Sequence, residues 1–324
     1  MIKKRPTHIL TIGGGSGQFA LLSGLRDLAD IDVTAVVSMV DSGGSTGRLR
    51  DELGALPPGD ILKCILALSP HRDMARAILL KRFQKDRRLM GHNAGNMLLT
   101  MLSRYTGSFT AGVRALAEIL DVSGTILPVT VDRATLVAEL SDGTRVFGEA
   151  AIDMPRGTQR ERIENVFLVP HHSDGIRVFP PVIEAIENAD CIIIGPGDLF
   201  TSVLPNLVVP NVREALQQTR ARILYVVNIM TKYGETHGFG AVDFVRHLEK
   251  QMGRTVDGVI LNAKRPPGVI IEAYHQQKSA PVSVDVDAAF AQERRVYTAD
   301  LIDTSGGIVR HDGAKLAAFI RQIM

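Results

Sequence analysis

Cysteine is nearly absent. The 324 residues hold only Cys64 and Cys191, far apart and each inside an apolar run, which argues against a disulfide framework and against a cysteine-based metal site. A reducing compartment fits that usage. No apolar stretch approaches the roughly 18 residues that a membrane helix needs. The opening Met-Ile-Lys-Lys-Arg-Pro leads into a strand-like segment and not into a signal-peptide core. A cytoplasmic protein without a membrane span is therefore expected. Charge of one sign is lacking too, since 37 Lys and Arg against 35 Asp and Glu leave a net +2, and nothing points to a nucleic-acid partner. With 45% hydrophobic and 22% charged residues, the chain is neither disordered nor collagen-like. Several catalytic signatures are missing as well. The nine histidines show no His-Glu-x-x-His spacing, and the neighbours His171 and His172 read as loop residues. There is no Gly-x-Ser-x-Gly elbow, and the pairs Asp142/Glu149 and Glu235/Asp243 lack the spacing of a glycosidase dyad. No nucleophile or general base is identifiable.

Glycine is what the chain has in excess: 30 of 324 residues, about 9% against a usual ~7%. Where these glycines fall depends on the order of elements. Residues 7–12 form a β-branched run, residues 19–28 repeat apolar side chains at helical spacing, and residues 33–40 are apolar almost throughout, as a parallel strand covered on both faces would be. Helical patterns then occupy residues 59–68, 72–83, 94–105 and 110–120. From 124 to 169 the period changes to two, with strands expected at 125–130, 134–140 and 145–147 around the turn Ser141-Asp142-Gly143. Parallel-type strands resume at 191–194, 223–227 and 256–261, with helices at 182–187, 212–217 and 244–252. This alternation predicts an α/β fold, a three-layer Rossmann-like, doubly wound, mostly parallel sheet. We expect one domain over residues 1–324, with a helical insertion at about 59–120 and an antiparallel β excursion at about 124–169.

Three glycine clusters follow three of these strands. The first, Gly13, Gly14, Gly15, Ser16 and Gly17, lies between a strand and a helix. There a phosphate can approach backbone N–H groups at the positive helix end. The absence of a following Gly-Lys-Ser/Thr excludes a Walker loop, and the glycines that trail Asp41 disfavour a nicotinamide dinucleotide site. The second cluster, Asp41, Ser42, Gly43, Gly44, Ser45, Thr46, Gly47, Arg48, Leu49 and Arg50, combines hydroxyls, glycines and two arginines as an anion cradle, with Asp41 able to accept from a hydroxyl or to hold a hard cation. The bland alternative is a flexible loop with exposed arginines. The third runs Gly195, Pro196, Gly197, Asp198, Leu199, Phe200, Thr201, Ser202; Asp198 reads equally as a helix N-cap. Asn228 ends another strand, and Gly91 to Asn96 opens a helix in which Asn93 and Asn96 serve either a ligand or the cap. Three Gly-rich loops on one sheet edge imply a phosphorylated, hydroxyl-rich ligand such as a nucleotide or nucleotide sugar.

Taken in order, Gly13-Gly14-Gly15-Ser16-Gly17, residues 41–50, Gly59-Asp60, Gly91-His92 with Gly95-Asn96, Gly148-Glu149, Gly195-Pro196-Gly197, Thr201-Ser202 with Leu204-Pro205-Asn206, Met230-Thr231 with Gly234-Glu235-Thr236, and Arg310-His311-Asp312 closely resemble the bacterial gluconeogenesis factor family, relatives of 2-phospho-L-lactate transferase. The resemblance implies binding of UDP-sugars such as UDP-N-acetylglucosamine, no required cofactor and no established catalytic activity. It also implies a regulatory role linking gluconeogenic carbon metabolism to cell-wall synthesis and cell shape, with protein partners there; a homo-oligomer is expected. Carried over by position, Gly14 to Gly17 would cradle the diphosphate, Asp41 and the turn Gly43 to Ser45 would line the pocket with Asn96 and Gly195 to Gly197, and Asn206 and Arg310 would complete it. Two positions depart from the family pattern. Ser42 stands where a second Asp is common, which weakens the case for a divalent metal, and Asp198 stands where Ser is common, which would repel a phosphate unless it faces a hydroxyl, a base edge or a cation. The alternative function is a Mg²⁺-dependent transferase moving a phosphoester-linked group from a nucleotide to a hydroxyl acceptor, with the Asp41 loop holding the metal.

Overall fold

A computed structural model describes residues 5–53, 55–85, 89–155, 160–172 and 175–324, with the side chains of 50–53 outside that description. The expected lead-in at residues 1–4 lies outside it as well. The chain opens with β1 (Thr7–Gly13), α1 (Gly15–Leu25) and β2 (Ile31–Val37), a βαβ unit whose strands pair in parallel from Thr7↔Ile31 to Gly13↔Val37. A helical stretch follows: α2 (Gly44–Leu53), α3 (Gly59–Leu68), α4 (Arg72–Leu79), α5 (Ala94–Tyr105) and α6 (Phe109–Ile119). Apolar except for Asp60 and Lys63, α3 has Ile61, Leu62, Ile65, Leu66 and Leu68 fully buried, as a helix packed among the sheet and several helices must be. β3 (Thr125–Pro128) then joins β2 in parallel.

Next come β4 (Ala134–Leu140), β5 (Arg145–Phe147), the short helix α7 (Glu149–Asp153) and β6 (Ile163–Pro170), in which β5 and β6 flank β4 antiparallel. The remaining elements are α8 (Pro180–Asn188), β7 (Cys191–Ile194), a π-helical turn at Leu199–Val203, α9 (Leu204–Leu207), α10 (Val212–Gln218), β8 (Arg222–Val226), α11 (Ala241–Met252), β9 (Gly258–Asn262), α12 (Gly268–Gln276), α13 (Ala288–Glu293), β10 (Arg295–Ala299), β11 (Ile302–Asp303), β12 (Arg310–His311) and α14 (Gly313–Ile323). Among the described residues the main sheet has seven parallel strands in the order β10-β9-β8-β7-β1-β2-β3. On one side α1, α3 and α14 pack together; α8, α10 and α11 form the other helical layer.

Chain order reverses between β1 and β7. At such a switch point the loops after two adjacent parallel strands part, leaving a crevice at their carboxyl ends. α14 closes back over α1 at a glycine crossing, where a Cβ on Gly24 would lie 2.5 Å from the carbonyl carbon of Gly313 and only glycine fits.

Beyond shifts of a few residues at element ends, such as α4 stopping at Leu79 and β2 at Val37, two segments differ in kind from the sequence expectation. Residues 125–130 were expected within the antiparallel excursion, yet β3 is the edge strand of the parallel sheet. It pairs on one side alone, with β2, and so it alternates in exposure like a half-buried strand. The 41–50 cluster was expected as an anion cradle, or else a flexible loop, and from Gly44 it is helix α2. Glycine, serine and threonine are weak helix formers; burial of Ser45, Thr46 and Leu49, with α2 packed on α5, supplies what propensity does not.

Candidate functional site

The crevice at the switch point holds a cavity of about 340 Å³. Gly14 to Gly17 form one wall, Pro196 to Asp198 and Ser202 the next, and Asn228 to Lys232 a third; Arg310 and His311 arrive from the C-terminal segment. The two glycine loops touch: a methyl on Gly17 would collide with the Pro196 carbonyl oxygen and sit 2.6 Å from its carbon and 3.0 Å from the Gly197 nitrogen. Gln18, fully buried, fixes the start of α1 by donating to Thr11 Oγ1 at 3.1 Å and to the Val36 carbonyl at 3.0 Å. No side chain caps α1, so its first N–H groups face the cavity unsatisfied, beside the exposed Ser16.

Some expected site residues support the loops from behind. Asn206, expected to complete the ligand site, is fully buried; its Nδ2 donates to the carbonyls of Gly13 at 3.0 Å and Ser202 at 2.9 Å, bracing the two loops together. Asn96 is buried and donates to Thr46 Oγ1 at 3.4 Å, while Ser45 Oγ lies 3.1 Å from His92 Nδ1. Thr201 donates to Glu235 at 3.3 Å. Asn93 takes the capping alternative, its Oδ1 accepting from the Asn96 amide at 2.7 Å. Arg48 reaches away to the Met90 carbonyl at 2.6 Å, and the Arg50 side chain is outside the described residues.

Two charged clusters flank the cavity. In the first, Asp41 accepts from the Gly43 amide at 2.9 Å, and Asp60 accepts from Lys63 Nζ at 2.8 Å. Both carboxylates border glycines: a Cβ on Gly14 would come 2.9 Å from Asp60 Oδ2, and one on Gly59 would come 2.6 Å from Asp41 Oδ2. Glu149 enters from α7, accepting from the Ser42 amide at 3.2 Å, while Ser42 Oγ accepts from the Ala150 amide at 3.0 Å. The carboxylate that Ser42 does not carry is thus supplied from another element. Burial, then the Asp41 charge, push the Glu149 carboxyl up to about 7. Burial and Asp60 raise Asp41 above its ordinary value. Burial works against the charge on Lys63, but Asp60 and Asp41 outweigh it and hold the ammonium on. Asp41, Asp60 and Glu149 offer the hard oxygen donors that a divalent cation takes.

In the second cluster Lys232 Nζ bonds to Asp153, to Asp198 Oδ2 at 2.7 Å and to Glu235 Oε1 at 3.2 Å. Asp198 makes no capping bond; it faces a cation, which removes the repulsion expected of a carboxylate beside a phosphate. Burial, with Asp198 next, raises Glu235 to about 8 despite Lys232, so it holds its proton at neutral pH. The carboxylate oxygens of Asp153, Asp198 and Glu235 lie within 4.8 Å of one another, and the Lys232 ammonium already fills the position a cation would take. Both clusters meet on α7, which brings Glu149 to one and Asp153 to the other.

Of the expected residues, Gly14 to Gly17, Pro196, Gly197, Asp198, Asn228 and Arg310 line one cavity. Asp41, Ser42 and Gly43 adjoin it through Asp60. Sequence reasoning did not assign Asp60, Lys63, Glu149, Lys232, Glu235 or His311 to the site, although Gly59-Asp60, Gly148-Glu149, Gly234-Glu235 and Arg310-His311 carried a signal in their glycine-acid and basic pairs. Asp153 carried none.

Comparison with known proteins identifies the family. The family model described as 2-phospho-L-lactate transferase CofD matches residues 9–302. The gluconeogenesis factor of Bacillus subtilis is 36% identical over 98% of this chain and 98% of its own, and that of Halalkalibacterium halodurans is 35% identical over 97% and 95%. The crystal structure of protein BH3568 from Bacillus halodurans superposes with a TM-score of 0.91 at 34% identity, covering 98% of this chain and 99% of that one. The chain therefore belongs to the 2-phospho-L-lactate transferase CofD family, among the members named gluconeogenesis factors.

Proposed function

We propose that this protein is a cytoplasmic nucleotide-sugar sensor: it binds a ligand of the UDP-N-acetylglucosamine type at the switch-point cavity and reports its supply to partners in cell-wall synthesis, linking gluconeogenic carbon use to cell shape. The observation that carries the reading is the uncapped N-terminus of α1 in the same cavity as the Arg310 guanidinium, an anion site with a bidentate fork beside it. The other formal charges lining the cavity, Asp198 and Lys232, neutralise each other, which leaves Arg310 for the diphosphate. The name gluconeogenesis factor carried by relatives supports the metabolic link. Calorimetric titration with UDP-N-acetylglucosamine tests it: saturable binding that Arg310→Ala weakens is expected, and no heat with this ligand alongside tight binding of an unrelated nucleotide overturns it.

One observation favours a second reading. Asp60 borders Gly14, with Asp41 beside Gly59 and Glu149 at Ser42; drawn together, these carboxylates would hold Mg²⁺ in a transferase that moves a phosphoester-linked group from a nucleotide to a hydroxyl acceptor. Bound there, the ion would supply charge neutralisation at the phosphates. The chain's own part would be positioning, with the α1 amides and Arg310 holding the donor. Nucleotide binding that requires Mg²⁺, with turnover of UDP or GDP donors, would establish this second reading. Metal-independent binding without turnover supports the sensor.

A further inference from the structure

Two buried acceptors in the cavity wall have no donor. Asn228 follows β8 and lines both the 340 Å³ cavity and a neighbouring one of about 370 Å³ at the ends of β8 and β9. His311 lines the 340 Å³ cavity and another of about 740 Å³ on its far side. The His311 ring hydrogen-bonds to the carbonyl of Val227, the residue before Asn228, and burial pushes its pKa down to about 4. The imidazole is therefore neutral, and with one ring nitrogen donating to that carbonyl the other is left with a lone pair. That nitrogen, Nε2, and the side-chain oxygen of Asn228 are both buried without a hydrogen-bond partner. Buried polar atoms in folded proteins are ordinarily paired, so an orphan marks the place of a missing partner.

The missing partner must bring protons. A diphosphate is ionised at neutral pH and accepts only, so it satisfies neither atom and belongs over the α1 amides instead. The uracil of a UDP-type ligand offers a single ring N–H. Two neighbouring acceptors match two neighbouring O–H donors, which sugar rings carry on adjacent carbons. We infer that Asn228 and His311 form a hydroxyl-recognition subsite, reading the diol of a sugar ring attached to the diphosphate, either the ribose or the appended hexose. The inference rests on the reading above that a nucleotide occupies the cavity.

The test titrates the unaltered protein with UDP, 2′-deoxy-UDP, 3′-deoxy-UDP and UDP-N-acetylglucosamine, and repeats UDP and UDP-N-acetylglucosamine with Asn228→Ala and with His311→Gln. Losing one such bond weakens binding by roughly two- to tenfold. If the deoxy analogues bind more weakly than UDP, and the variants weaken UDP and UDP-N-acetylglucosamine alike, the diol is the ribose. If the variants weaken UDP-N-acetylglucosamine alone, it is the hexose. Either result supports the subsite. Deoxy analogues that bind like UDP, with both variants matching the wild type on both ligands, overturn it and show the acceptors to be served by solvent. If the unaltered protein binds neither UDP nor UDP-N-acetylglucosamine, the nucleotide reading itself fails and this inference falls with it. The deoxy arm needs no variant, so the ribose outcome is read even where a substitution impairs folding, and a melting curve of each variant separates lost folding from lost binding for the hexose outcome.

Discussion

Glu149→Gln probes the electrostatics of the site most directly. The carboxyl stands at the start of α7, accepting from the Ser42 amide at 3.2 Å, and burial, followed by the charges of Asp41, Asp153 and Asp60, lifts its pKa from 4.5 to about 7. The folded protein holds a proton that the unfolded chain releases near pH 4.5. A carboxyl raised in this sense leaves stability fully present below the unfolded value, and stability is lost as pH climbs through the folded one. One pKa unit corresponds to about 1.36 kcal/mol, so the interval from 4.5 to about 7 amounts to about 3 kcal/mol lost by pH 8. Glutamine keeps an acceptor for Ser42 and carries no charge at any pH. Wild type and variant should therefore melt at similar temperatures near pH 5 and separate by pH 8. The variant should then be higher by roughly 6 °C, at about 2 °C per kcal/mol for a large domain. Glu235, raised to about 8, titrates in both proteins and cancels from the difference. The assay is thermal denaturation from pH 5 to 8 in chelator-treated buffer. Parallel curves across that range would refute the assignment of a shared, repelling cluster to Asp41, Asp60 and Glu149.

Gly17→Ala drives a methyl into the Pro196 peptide; a cost of about 1–3 kcal/mol should lower the urea midpoint, and nucleotide affinity should fall with it, whereas an unchanged midpoint would mean that the two loops are not in contact. Lys232→Met leaves Asp153, Asp198 and Glu235 without their cation. A loss of about 3 kcal/mol is expected at pH 8, shrinking at pH 5 as Glu235, raised to about 8, takes up its proton, and a pH-independent deficit in urea titrations would contradict it. Arg310 is exposed, so Arg310→Ala should leave the melting temperature within the scatter of a surface change, about 0.5 kcal/mol. UDP affinity should drop at least about tenfold, as for a lost charge-assisted bond, and calorimetry finding full affinity would remove the guanidinium from the site.

How much of this was readable from sequence depended on whether a residue's neighbours are local. The bounds of α3 and α5 were readable because their apolar spacing is helical and their ends carry ordinary signals, such as Asn93 accepting from the Asn96 amide. The strands β1, β2 and β7 were readable because burial on both faces leaves short runs rich in β-branched and apolar residues. α2 was not, because Gly44 to Arg48 has no apolar period and its helicity comes from packing on α5. The site divided along the same line. Each glycine loop follows its own strand, so its place at the sheet edge follows from local order. The charged clusters do not: Ser42 and Glu149 are 107 positions apart, and Lys232 and Asp153 are 79. Their meeting depends on where the β4–β6 sheet sets α7 down, a matter of topology that spacing alone does not carry. Asp198 shows the cost of local reading, since the capping role suggested by its position is replaced by an ion pair with a residue 34 positions on.

The crossing of α14 over α1 has a consequence for the order in which the protein comes to life. Both Gly-rich loops emerge from the ribosome long before Arg310 and His311, which are held in place by the β11–β12 pair and by the close approach of Gly24 and Gly313. A nascent or prematurely stopped chain that ends before β12 carries the residues of all seven strands, but neither the guanidinium nor the imidazole, and it lacks the buried face of α14 at Leu316, Ala317 and Ile320. On the nucleotide reading, the proposed site is thus completed by a segment made after both Gly-rich loops, and that same segment supplies the helix that covers α1.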